Sequence, residues 1–119
     1  MSLGVPKAKK GGEHVVSSVS IHTWRIKTGP QDEQFCVYNV AVELASGLTW
    51  EIEKRYLQFR GLRRDIQRAL PDLADLDFPG RNIFWNLHES TLQYRASVLT
   101  KYMSAIVQAN PNLQELTSF

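Results

Sequence analysis

Residues 35–70 read FCVYNVAVELASGLTWEIEKRYLQFRGLRRDIQRAL, and the fold class turns on a change of period inside them. Cys36, Tyr38, Val40, Val42 and Leu44 form one apolar face, while Asn39 and Glu43 fall on the other. That two-residue period is the mark of a half-buried strand. Ala45-Ser46-Gly47 is hairpin-turn chemistry. The alternation resumes over residues 48–56: Leu48, Trp50, Ile52 and Tyr56 lie on one side, and Thr49, Glu51, Glu53 and Arg55 on the other. Lys54 alone interrupts the apolar side. At Tyr56 the period lengthens, and Phe59, Leu62, Ile66 and Leu70 follow at spacings of 3, 4 and 4, a helical stripe. Pro71 closes that helix, because it has no N–H and its ring clashes with the preceding turn.

The flanks extend the pattern. Residues 15–27 (VVSSVSIHTWRIK) alternate and are rich in strand-favouring Val, Ile, Thr and Trp. Gly29-Pro30 marks a turn over residues 28–34. Three consecutive strands joined by short turns make an antiparallel meander. Beyond Pro71, residues 71–87 hold Pro79 and Gly80 and no sustained period, which predicts a long loop with an apolar centre. Loops of that length in a compact domain are often functional. His88-Glu89-Ser90-Thr91 opens the next helix, with Ser90 as its expected cap. Leu92, Leu99, Tyr102, Met103 and Ile106 form that helix's stripe, and Asn110-Pro111 ends it. A short terminal turn or helix would use Leu113, Leu116 and Phe119. Strands followed by helices give an α+β domain over residues 15–119. Residues 1–14 (MSLGVPKAKKGGEH) lack any period and read as a disordered leader.

A length of 119 residues suits a single domain. Fourteen Lys and Arg against twelve Asp and Glu leave a net charge of +2, too small to announce a nucleic-acid binder. The single cysteine, Cys36, excludes an internal disulfide and a Cys-based zinc cage and fits a reducing compartment. No apolar run approaches the roughly 20 residues of a membrane-spanning helix. No apolar segment follows Lys7, Lys9 and Lys10, so no signal peptide is expected. The expectation is a small, soluble, intracellular domain. His14, His22 and His88 are dispersed and have no partner at metal-ligand spacing. Cys36 sits on the apolar face of its strand, as a buried structural thiol would. Asp72, Asp75 and Asp77 do not match a calcium loop. Phosphate-loop, dinucleotide and nucleophile-elbow motifs are missing. No enzyme, no metal and no cofactor are expected.

The basic residues carry the functional signal. Lys54, Arg55, Arg60, Arg63, Arg64 and Arg68 stand against Asp65 alone, a local +5 within residues 54–68. Much of this stretch reads as the solvated face of a helix. As a nucleic-acid surface it would need interleaved exposed aromatics, and it holds only Tyr56 and Phe59, both with core or pocket roles. Arg95 is harder to place. At about 100° per residue it falls at about 300° from Leu92, between Leu99 at about 340° and Tyr102 at about 280°. A guanidinium keeps its charge, so one inside an apolar stripe must snorkel out, pair with a carboxylate or line an anion-binding pocket. Arg55-Tyr56 stands at the strand-to-helix junction, where an Arg and an aromatic together suit a phosphorylated ring. Tyr56 could equally be the last core residue of the sheet. Arg81 follows Phe78-Pro79-Gly80: either the loop touches a membrane, or Phe78 and Ile83 pin it to the core.

These pieces resemble a phox-homology (PX) domain. The likeness covers residues 15–119 and rests on Lys54-Arg55-Tyr56-Leu57-Gln58-Phe59, then Phe78-Pro79-Gly80-Arg81, then Arg95-Ala96-Ser97-Val98-Leu99. It implies a three-stranded antiparallel meander packed against a bundle of three to four helices. It also implies a domain that binds phosphoinositide headgroups, phosphatidylinositol 3-phosphate first, without catalysis. By the resemblance Arg55 grips the 3-phosphate, Tyr56 packs on the inositol ring, Arg81 meets the 1-phosphate and Arg95 hydrogen-bonds the 4- and 5-hydroxyls. Leu76 and Phe78 would enter the bilayer. The domain would act as a monomer in the cytoplasm, peripheral on endosomal membranes, with no nucleic-acid partner. The alternative is a protein-interaction domain of the same fold with weak or no lipid binding. The chain departs from the family pattern in Leu57-Gln58, where a Ser and an acid are frequent, and in the spacing of Pro71 and Pro79. Some family members take doubly phosphorylated headgroups, for which Arg60, Arg63 and Arg64 would be the spare cations.

Overall fold

The computed structural model describes residues 15–80, 87–110 and 119. Strands β1 (Val16–Thr28), β2 (Gln34–Leu44) and β3 (Thr49–Arg55) form one sheet in the order β1-β2-β3, antiparallel throughout. Helix α1 (Tyr56–Ala69) follows β3 directly, a 3-10 turn spans Pro71–Leu73, and helix α2 (Glu89–Ala109) closes the described fold. The α+β meander expected from the two periods is present. The described residues hold two α-helices and one 3-10 turn, fewer than the three to four helices anticipated. The terminal turn over Leu113 and Leu116 lies outside the described residues.

The turns show why the strands meet in register. Gly47 has φ 93°, a conformation that side chains resist, and its N–H donates to the Leu44 carbonyl at 2.9 Å. Leu48 belongs to this turn and is 49% exposed, so it is not part of the apolar face on which the alternation placed it. At the β1–β2 turn, the Gly29 N–H donates to the Glu33 carbonyl at 2.8 Å. A Cβ on Gly29 would run into the Glu33 carboxylate. That carboxylate accepts the Gln31 N–H at 2.9 Å.

Both helices cover one face of the sheet. Tyr38, Val40 and Val42 of β2 meet Phe59, Leu62 and Ile66 of α1 and Leu99, Met103 and Ile106 of α2 in one buried cluster. The Tyr38 and Phe59 rings meet edge-on at 6.2 Å. Helix α2 is tied to β1 by a polar contact as well, the Ile21 N–H donating to Thr100 Oγ1 at 2.9 Å. Cys36 is buried, as its place on the apolar strand face implied. The cap of α2 is a correction. His88 is the N-cap, with extended backbone, and its carbonyl accepts the Leu92 N–H at 3.0 Å. Ser90 lies inside the first turn. Glu89 begins the helix, where its charge complements the N-terminal end of the helix dipole.

Lys54, the interruption in the β3 face, is 2% exposed. It lies opposite Tyr38, on the core side. Its ammonium donates to the Phe119 main-chain oxygen at 2.5 Å and stands 4.8 Å from that ring. Burial lowers its pKa from the ordinary lysine value. Phe119 in turn packs on Phe59 at 5.0 Å. The stem fills core volume while the ammonium keeps an acceptor.

The opposite face of the sheet is polar. Glu53 takes a 2.6 Å contact from Arg25 Nε and a 2.9 Å contact from Lys27 Nζ. The hydrogen bond from Arg25, and then that from Lys27, hold the Glu53 carboxyl down at about 2, against an ordinary 4.5. A depressed carboxylate pKa stabilises the fold above the unfolded value, and that contribution disappears as pH falls through the folded one. Because the pair is exposed, the effect is small. The melting-temperature gap between the wild type and Glu53→Gln should be constant above pH 5 and close between about pH 4.5 and 2. A gap independent of pH would contradict this account.

Candidate functional site at the strand-to-helix junction

Where β3 becomes α1, the chain opens a cavity of about 300 Å³. Its walls include Phe35, Cys36 and Tyr38 from β2, Arg55, Tyr56 and Leu57 from the junction, and Arg95 from α2. The junction is sharp because Gln58 makes it so. Arg55 is the N-cap of α1, at φ −93° and ψ 160°, and its N–H donates to Gln58 Oε1 at 2.9 Å. This is the returning half of a capping box. A guanidinium has no acceptor, so the Arg55 side chain cannot complete the other half and is left for other work. The family departure at Gln58 therefore has a local structural role.

The exposed Arg55 guanidinium lies over the Phe35 ring, 4.1 Å from its centroid. Phe35 holds the cation at the cavity wall without neutralising it. Tyr56 is 5% exposed, and its hydroxyl donates to the Pro79 carbonyl at 2.6 Å. The Arg95 guanidinium carbon sits 4.4 Å from the Tyr56 ring centroid. Arg55, Tyr56 and Arg95, singled out in three separate stretches of sequence, thus meet around one cavity.

Arg95 is 2% exposed, which removes snorkelling from its three possible fates. Its Nε and Nη2 are buried and have no hydrogen-bond partner among the described residues. The ion pairs found among those residues belong to Glu53 on the far side of the sheet. The Tyr38 hydroxyl, also on the cavity wall, is likewise buried and unpartnered. Burial pushes the Tyr38 phenol well above its ordinary range and the Cys36 thiol up to about 11, with the Arg95 charge opposing both shifts. At neutral pH the cavity therefore offers a neutral thiol and phenol and the positive charges of Arg55 and Arg95. Glu33 is the carboxylate residue on the same wall.

The loop differs from expectation. Phe78 does not project from it. Its ring packs at 5.9 Å from Tyr56 and 5.2 Å from Tyr102, with the Arg63 guanidinium 5.0 Å from its centroid. Leu76 is also half-buried and packed on the core. Of the two readings of Phe78, this conformation shows the core-pinning one, because the Tyr56–Pro79 hydrogen bond draws the loop inward. Ile83 and Arg81 lie outside the described residues. Arg63 is engaged with Phe78, and neither it nor Arg60 nor Arg64 lines the cavity. Sequence reasoning missed Phe35, the Tyr38 hydroxyl and the Gln58 cap. Strand register held a signal for Phe35: Val37 pairs with Arg55, so Phe35 is the diagonal neighbour of Arg55 on that face.

An uncompensated buried charge costs several kcal/mol and persists where a ligand completes it. Arg95→Met fills similar volume without the charge. It should raise the unfolding free energy of the ligand-free domain in urea by about 1–4 kcal/mol. A loss of that size would show that Arg95 holds the fold together.

Comparison with known proteins agrees with this geometry. The family model for the PX domain matches residues 43–119. Human and mouse kinesin-like protein KIF16B are 34% and 33% identical over 55 residues, 46% of this chain, which spans about 4% of their length. Among solved structures, a designed CISK-PX domain superposes with a TM-score of 0.73 at 28% identity, covering 86% of this chain and 96% of that one. The mouse SNX19 PX domain with bound sulphate gives 0.62 at 17% identity, covering 88% and 95%, a likeness of fold. The family match runs from the end of β2 through the junction and the buried Arg95, and this chain belongs to the PX domain family.

Proposed function

We propose that this domain binds the headgroup of phosphatidylinositol 3-phosphate in the junction cavity and thereby holds its parent protein on endosomal membranes. PX domains are lipid-binding modules that recruit proteins to membranes. The observation that carries the reading here is Arg95, a buried guanidinium with two unpartnered nitrogens on the wall of an open cavity. The family roles are carried over to the matching residues of this chain, and Arg55, Tyr56 and Arg95 line the cavity. Arg55 forks onto the 3-phosphate from its seat on Phe35. Tyr56 packs against the ring. Arg95 donates to the 4- and 5-hydroxyls, and Arg81 meets the 1-phosphate.

The Arg95 role has a second side. A sugar hydroxyl accepts a hydrogen bond but carries no counter-charge. A phosphate a few ångströms away supplies that charge, so one phosphorylated polyol satisfies both the donors and the electrostatics. The cavity volume lies at the small end of ligand sites, suited to one polar ring. Two features favour a single ring phosphate over two. Glu33 adds a negative charge to the wall, and Arg63 is occupied by Phe78.

A charge-assisted hydrogen bond contributes about 1.5–3 kcal/mol, so removing a phosphate fork should cost roughly tenfold to a hundredfold in affinity. Arg55→Ala should lose that much binding to vesicles carrying phosphatidylinositol 3-phosphate, with an unchanged melting temperature. Equal binding by the variant would refute the site. Failure of the wild type to bind any phosphoinositide vesicle would favour the protein-interaction alternative.

A further inference from the structure

Helix α1 presents a second surface, which adjoins the cavity at Leu57 and runs away from it along the helix. Around its axis at about 100° per residue, Leu57, Arg60, Arg64 and Arg68 fall at about 0°, 300°, 340° and 20°. The buried stripe of Phe59, Leu62 and Ile66 falls at about 200°, 140° and 180°, on the opposite side. Leu57 is 48% exposed and also lines the mouth of the cavity. Arg64 and Arg68 are exposed, and Arg60 is half-exposed. The ion pairs among the described residues do not involve these arginines. Asp65, the sole acid of α1, lies at the margin of the face, at about 80°.

We infer that this face of α1 is a membrane-contact surface for anionic lipid, distinct from the headgroup cavity, with Leu57 entering the interface and Arg60 and Arg64 meeting lipid phosphates. An aliphatic side chain beside a row of arginines is the chemistry of an interfacial amphipathic surface. The inference rests on the reading of the cavity as a headgroup site, because that reading turns the cavity mouth, and Leu57 with it, toward a bilayer. Leu57 also supplies what the loop lacks in this conformation, where Leu76 and Phe78 are packed on the core. Arg60 lies about 4.5 Å along the axis from Leu57 and Arg64 about 10 Å, so the first is well within a Debye length of the leading residue and the second near its limit. The row favours lipid over nucleic acid, because the exposed large apolar residue of α1 is a leucine, with no aromatic on that face to stack a base.

The test uses the whole chain and vesicles of phosphatidylcholine with phosphatidylserine, with and without phosphatidylinositol 3-phosphate. Without the phosphoinositide, the wild type should bind weakly and lose binding as salt rises. The combined Arg60→Gln, Arg64→Gln, Arg68→Gln variant should lose that binding. With the phosphoinositide present, it should bind roughly tenfold or more weakly, yet take up a soluble inositol 1,3-bisphosphate headgroup as the wild type does. Leu57→Ser should weaken vesicle binding roughly threefold to tenfold. Undiminished binding of the triple variant to phosphatidylserine vesicles overturns the inference. So does a matching loss of soluble headgroup, or binding of single-stranded RNA in place of vesicles. Arg55→Ala separates the two readings. If it binds phosphoinositide vesicles like the wild type, the cavity assignment falls, while loss of phosphatidylserine binding by the triple variant still upholds the α1 face.

Discussion

A guanidinium buried without an ion-pair partner among the described residues is the constraint around which this domain is arranged. Arg95 sits on α2 among Leu92, Ala96, Leu99 and Tyr102, all nearly inaccessible, with the Tyr56 ring against its flat face and the Tyr38 phenol within its electrostatic reach. The surrounding structure must offset several kcal/mol to keep it there. It does so with apolar burial on three sides: the β2 face, the α1 stripe and the remainder of α2. Contacts that look merely structural thereby gain a functional meaning. The Thr100 hydroxyl that ties α2 to β1 fixes the helix carrying Arg95 against the sheet carrying Tyr38. A looser core would let water reach the charge and would relax the demand for an anion.

Tyr56 converts that constraint into a site. Its ring is engaged by Arg95 over the face and by Phe78 in a tilted contact, and its hydroxyl by the Pro79 carbonyl. The residue therefore belongs at once to the core, to the cavity and to the seat of the loop. Its burial bears out the reading of Tyr56 as the last core residue of the sheet, and the same ring lines the cavity wall where a headgroup is proposed to pack. Arg63 reinforces the arrangement from α1 by covering Phe78. The long loop is consequently anchored at its Phe78-Pro79 end by the same residues that shape the junction cavity.

Much of this was legible in the sequence where the cause was local. The two-residue period named the strands, the change at Tyr56 named the first helix, and the helical angle of Arg95 marked it as out of place before any fold was known. Local rules failed where the partner lay far along the chain. Lys54 broke the apolar alternation of β3 because its acceptor is at Phe119, 65 positions away. Phe78 carried two readings, membrane contact and core pinning, because nothing nearby in sequence shows that Tyr56, Tyr102 and Arg63 receive it. Ser90 is the better cap by residue type, yet His88 takes the position and Ser90 falls inside the first turn. Leu48 followed the alternation in sequence, but the hairpin that requires Gly47 at positive φ puts it in the turn. The roles proposed for Arg55 and Tyr56 come from family likeness, because the dipeptide alone is weak evidence for a pocket against a core position.

The electrostatics show how so small a net charge can serve a surface binder. The total of +2 is a sum over regions that behave differently. On the outer face of the sheet, Arg25 and Lys27 share the Glu53 carboxylate, and Glu43 and Glu51 lie on the same face, so together they contribute little positive field at a distance. Along α1, Arg60, Arg64 and Arg68 face solvent with Asp65 at the margin. Inside the cavity, Arg95 forms no ion pair among the described residues, with Glu33 elsewhere on the wall. Because screening removes interactions beyond about 8–10 Å at physiological salt, an approaching surface responds to the nearest few charges and not to the sum. A bilayer meeting the sheet face finds a neutralised patch. One meeting the α1 side and the cavity mouth finds concentrated positive charge with Leu57 at its leading edge. The asymmetry orients the domain before any headgroup is bound, and it does so without the high overall charge that would also attract nucleic acid.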